Sequence, residues 1–142
     1  MKRQTTSSLI PGYVWGLVAL YCIASLLHFS HNAEYIAFYP DLPLWLTREK
    51  VYLAWFAVSS VGLVGVALAA TGWPITAAVF FVAYGLSGLD GLGHYTLALC
   101  SEHTIATNLT IAFEALAGVA LAISAFRFVG HRARSWLRHS GA

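Results

Sequence analysis

The chain has 142 residues, 58% of them hydrophobic and only 10% charged, with a formal net charge of +2 and a mean hydropathy of +0.68. A soluble domain carries roughly 25% charged residues, so the composition excludes an ordinary soluble fold. Most of the length falls into four apolar stretches, each near the ~20 residues that cross a ~30 Å hydrocarbon core. These features predict an all-α integral membrane protein, a four-helix transmembrane bundle forming a single domain over residues 1–142.

The first helix is expected over about 12–37. Pro11-Gly12 opens it, and Tyr39-Pro40-Asp41-Leu42-Pro43 closes it, because a residue before proline is pushed out of helical geometry. Lys2 and Arg3 precede it as they would a secretory signal. The apolar part is long, however, and no A-x-A site follows, so an uncleaved helix is expected. Trp45 in the following loop suits the membrane interface. Thr47 is a candidate N-cap for helix two, over about 48–70, with Glu49 in its first turn. Thr71-Gly72-Trp73 makes a tight connection, and Pro74 suits the first turn of helix three, over about 74–97. Helix four is expected over about 104–128, followed by a basic tail at 129–142.

Lys2, Arg3, Arg127, Arg132, Arg134 and Arg138 would share one side of the membrane, against Arg48 and Lys50 on the other. The positive-inside rule then places both termini in the cytoplasm, in a bacterial inner membrane. The aromatic, basic tail is read as a segment lying on anionic headgroups rather than as a nucleic-acid site. The bilayer is therefore the expected partner, and a homodimer or larger membrane complex stays open. Cys22 and Cys100 form no CxxC pattern, which removes dithiol and c-type haem chemistry. Gly88-Leu89-Asp90-Gly91-Leu92-Gly93 lacks the order and preceding strand of a nucleotide loop. The glycines of helices two and three instead favour close helix packing, with helix three central.

Orienting the helices gathers the polar residues. His28, His31 and Glu34 fall in the last turns of helix one, and Asp90 and His94 in those of helix three. His103 lies at the mouth of helix four. Asn108 and Thr110 follow inside it, and Glu114 lies about 15 Å in at 1.5 Å per residue. Such groups inside a membrane are expensive and usually functional. His28 and His31, and His31 and Glu34, are spaced i,i+3; Asp90 and His94 are spaced i,i+4. Imidazoles and carboxylates projected from facing helices are how bundle metal sites are built. The expected metal ligands are His28, His31, His94 and His103, for zinc, iron, copper or manganese, among which the ligand set does not choose. Glu34, Asp90 and Glu114 are the candidate catalytic carboxylates, and Asn108 and Thr110 the candidate ligand-binding residues. His131 and His139 fall in the tail, outside the site. The expected function is binding of a transition metal or a small lipophilic ligand, with action on that ligand left open. The alternatives are a metal-free ligand binder or isomerase and a non-enzymatic accessory subunit.

The segment Leu27-His28-Phe29-Ser30-His31-Asn32-Ala33-Glu34, followed by Phe38-Tyr39-Pro40-Asp41-Leu42, resembles the EXPERA group of four-helix membrane proteins. That group includes sterol isomerases and sigma-2-type ligand binders. The resemblance implies a His and a Glu acting in proton transfer, with His28 or His31 and Glu34 at the matching positions. The group's further Glu on the next helix has no counterpart within the membrane span of helix two, which is a departure from the pattern.

Overall fold

A computed structural model describes residues 9–39 and 41–140, the side chains of 139 and 140 excepted. Lys2 and Arg3, which enter the orientation argument, lie outside the described residues, as does the side chain of His139. The described residues are all helix, turn and loop. Helix α1 spans Gly12–Glu34, α2 Arg48–Ala70, α3 Pro74–Ser87, α4 His94–Leu97 and α5 Ile105–Ser140. Short 3-10 turns at Ile36–Phe38, Asp90–Gly93 and Cys100–Glu102 join them. Four segments are long and apolar enough to cross a membrane: Gly12–Glu34, Arg48–Ala70, Pro74–Leu97 and Ile105–Arg138.

The local signals explain most of these limits. Pro11 precedes α1 in an extended conformation. The Thr47 side chain accepts the Lys50 amide at the start of α2. Gly72 adopts φ +87° in the turn before α3, a conformation glycine takes without the strain a Cβ brings. Three limits differ from expectation. The first helix is α-helical only to Glu34 and tightens into a 3-10 turn. The third breaks at Ser87, where Gly88, Gly91 and Gly93 weaken the α-helix and the chain winds into a 3-10 turn before α4. The fourth runs on through the segment read as a tail, since no proline interrupts it and Arg, Ala and Leu sustain helix.

The four long helices pack in a ring, α1 against α2, α2 against α3, α3 against α5 and α5 against α1. Small residues set how closely they approach. A Cβ on Gly85 would run into the Gly118 carbonyl and the Ala122 amide, so α3 and α5 meet backbone to backbone. The core combines alanines (Ala24, Ala77, Ala78, Ala117, Ala125) with Tyr21, Phe81 and Leu121. Many large apolar residues point outward: Leu53, Phe56, Leu63, Leu86, Leu116 and Phe126 are all exposed. An outer surface this apolar belongs in lipid rather than water. The architecture is that of an integral membrane four-helix bundle.

Candidate functional site

One face of α1 carries Tyr21, Ser25, His28 and Asn32, at successive steps of four, three and four residues. All four are buried. These steps keep the side chains on one face of the helix. Opposite them, α5 presents Thr107, Thr110 and Glu114 at steps of three and four. The two stripes meet at the end of the bundle away from the described termini. Toward those termini the α1 face turns apolar at Val14, so the polar stripe ends inside the bundle.

His28 is the centre of the arrangement, 2% exposed. Its Nδ1 lies 3.4 Å from Thr110 Oγ1. The Thr110 hydroxyl donates to the Thr107 carbonyl at 2.9 Å, which leaves its oxygen to accept from His28 Nδ1–H. On the other side of the ring, His28 Nε2 faces Asn32 Nδ2 at 3.0 Å. Asn32 Nδ2 also reaches His94 Nε2 at 3.2 Å. One amide nitrogen has two hydrogens, so it donates one to each imidazole. Both rings are thereby held with their Nε2 atoms as acceptors.

Glu114 lies beside this acceptor. Its Oε2 is 3.6 Å from His28 Nε2, beyond hydrogen-bond reach. It is 1% exposed, and neither of its oxygens has a hydrogen-bond partner among the described residues. The Ser25 hydroxyl faces the same carboxyl from α1 but stands outside bonding distance. Gly91 closes the pair from the α3 side. A Cβ there would sit 3.2 Å from His28 Nε2 and 3.3 Å from Glu114 Oε2. The site thus holds an imidazole nitrogen that already accepts from Asn32, beside a buried carboxyl with no hydrogen-bond partner among the described residues. Buried polar groups in folded proteins are normally satisfied, and an unpartnered carboxyl of this kind is a place for a donor from outside.

A cleft of about 350 Å³ leads to it, lined by His28, Asn32, Asp90, Gly91, His94 and apolar residues of α2 and its preceding loop. Beyond His94 the aromatic and imidazole rings continue outward. His94 lies 5.7 Å from the His28 ring, 5.0 Å from Tyr39 and 6.1 Å from His103, centroid to centroid. His103 is buried and stacks on Tyr95. The Tyr39 hydroxyl meets His31 Nδ1 at 2.7 Å. Burial pushes the Tyr39 phenol above its ordinary range, so the hydroxyl keeps its proton and donates to that nitrogen.

The expected residues therefore separate. His28, His94, Thr110 and Glu114 come together. Asp90 is exposed on its 3-10 turn and lines the cleft mouth. Glu34, which the EXPERA resemblance pairs with a histidine, lies outside the cluster. It is held by Arg48 at 2.6 Å and by the Tyr52 hydroxyl at 2.8 Å. Asn108 braces the loop at the helix end, accepting from the Tyr95 hydroxyl at 2.9 Å and donating to the Cys100 carbonyl at 3.0 Å. The metal centre expected at His28, His31, His94 and His103 is not supported. Among the described residues, no three His, Cys, Asp or Glu side chains are arranged to hold an ion. The reason is geometric: Asn32 engages the Nε2 atoms of His28 and His94, and His31 turns to Tyr39. Ligand nitrogens must all come within about 2.1 Å of one ion.

Asn32, Gly91 and Tyr39 belong to the site and were not among the expected residues. Asn32 was legible as the i+4 neighbour of His28 on one helix face; Gly91 carried no such signal. No protein-family model, no curated protein and no solved structure matches this chain.

Proposed function

We propose that this protein binds a small lipophilic molecule carrying an N–H or O–H group in a metal-free site within the membrane, and that His28 and Glu114 exchange a proton with it. One observation carries the reading: the buried Glu114 carboxyl has no hydrogen-bond partner among the described residues and lies 3.6 Å from His28 Nε2, which Asn32 holds as an acceptor. A protonated amine or a hydroxyl entering beside His28 would donate to the Glu114 carboxyl, next to the imidazole. The cleft's apolar lining from Leu42, Leu46, Val51 and Ala54 suits the rest of such a molecule. A proton placed between a carboxyl and an imidazole is also what general acid–base chemistry requires, whether for isomerisation or for transfer alone.

The membrane placement follows the charges. Among the described residues, Arg127, Arg132, Arg134 and Arg138 lie at one end and Arg48 and Lys50 at the other. This supports cytoplasmic termini in a bacterial inner membrane, with the cleft in the outer half.

The test is thermal unfolding of the detergent-purified protein with long-chain alkylamines, using alkanes of equal length as controls. The expected result is stabilisation by the amines alone, lost in Glu114→Gln. Equal stabilisation by amine and alkane, or an unchanged response in the variant, would contradict the reading. So would a stoichiometric metal in the purified protein whose content falls in His28→Ala.

A further inference from the structure

A second cavity lies at the opposite end from the histidines, and the proposed ligand site does not use it. It measures about 880 Å³, between the start of α1 and the last third of α5. Ile10, Tyr13, Ile123 and Phe128 supply apolar walls, and Arg127 and Arg132 supply charge. Its level is set by helix length. Arg127 lies 22 residues beyond Ile105, or about 33 Å at 1.5 Å per residue. The hydrocarbon core is ~30 Å thick, so the two arginines fall at the headgroups while Ile123 stays among the acyl chains.

The charge balance at this end is one-sided. All six acidic residues of the chain lie between Glu34 and Glu114. No Asp or Glu side chain precedes Glu34 or follows Glu114, so the arginines of the cavity have no carboxylate near them in sequence. Arg132 lays its guanidinium over the Phe128 ring at 5.7 Å. Its Nε is buried and has no hydrogen-bond partner among the described residues. Guanidinium groups without a carboxylate, beside an apolar slot at headgroup depth, match a phosphodiester with an acyl chain attached. A zwitterionic lipid brings its own ammonium group into a site that already holds only cations. We infer that this cavity is a binding site for one anionic phospholipid of the leaflet at the terminal end, its phosphate held by Arg127 and Arg132 and an acyl chain along Ile123 and Phe128. The inference is independent of the ligand site at the other end.

The test uses the full chain, delipidated in detergent, with three probes: phosphatidylglycerol, phosphatidylcholine of the same acyl chains, and inorganic phosphate. Binding is read by native mass spectrometry and by thermal unfolding. The expected result is one retained phosphatidylglycerol that raises the melting temperature, with neither effect from the other two probes. Arg127→Gln with Arg132→Gln should weaken that binding about fivefold per arginine, roughly thirtyfold together, and leave the alkylamine response intact. Should the double variant not fold, the wild-type preference for phosphatidylglycerol should still shrink as salt is raised from about 0.05 to 0.5 M. Equal binding of both lipids, binding of inorganic phosphate as tight as that of phosphatidylglycerol, a salt-insensitive preference, or unchanged binding in the double variant would overturn the inference.

Discussion

The two ends of the bundle treat polar groups in opposite ways. At the histidine end they point inward, are buried, and answer one another: Thr110 to His28, His28 to Asn32, Asn32 to His94. At the terminal end the cations sit on the outer part of α5, without a carboxylate within reach along the chain. The first arrangement is a network that runs from Thr110 to His94 and leaves Ser25, Glu114, His103 and the Asn32 carbonyl oxygen without hydrogen-bond partners among the described residues. The second is a set of charges that the protein leaves to its surroundings to balance. The contrast teaches that a membrane protein's polar residues should be sorted by where their partners come from. A network that the chain builds within itself points to chemistry, and a set of charges closed by lipid points to anchoring.

The largest effect is expected from His28→Ala. It removes the partner of Thr110 and one partner of Asn32, and opens a cavity beside Glu114. A loss of about 2–4 kcal/mol in unfolding free energy is expected, measured in detergent. A smaller effect of opposite sign is expected from Glu114→Gln. The amide has the same shape and replaces a buried ionisable group that has no hydrogen-bond partner among the described residues. The variant should gain about 1 kcal/mol of stability while losing the alkylamine response, as sites strained for function do when relaxed. Gly91→Ala should come next, at about 1 kcal/mol of destabilisation, with weakened amine binding, because its Cβ presses on both His28 and Glu114. Gly16→Ala is the control, since a Cβ there meets nothing within 4 Å and the residue lies outside the cleft. The smallest effect belongs to Glu34→Gln. This exposed carboxylate pairs with Arg48 at the surface, so the amine response should be unchanged.

Sequence patterns carried the helices well where termini have chemical markers. Thr47 and Pro74 mark where α2 and α3 begin, and the expected span of α2, 48–70, is the observed one. They carried the site only to the level of depth. Helix orientation brought His28, His94 and Glu114 to one layer, but depth does not say which way a side chain faces. Glu34 lies in that layer and still turns to Arg48, a pairing set by how α1 meets α2. The four histidines read as a ligand set because composition cannot show that Asn32 stands between two of them. The break after Ser87 was hidden for a different reason. Glycines in a membrane helix usually signal close packing, and here Gly85 does that while Gly91 lets a 3-10 turn pass over His28. Periodicity and composition do not separate those two uses.

His28 Nε2 is an acceptor in a metal-free site, held by Asn32 beside the unpartnered Glu114 carboxyl. Nitrogen-15 NMR of the imidazole rings in the labelled protein reads this directly, with the signal of His28 assigned by its loss in His28→Gln. The expected result is the Nδ1–H tautomer for His28 without ligand, and a shift of its Nε2 resonance when a long-chain alkylamine is added. An Nε2–H tautomer, a metal-bound Nε2, or a resonance unmoved by the amine would contradict it.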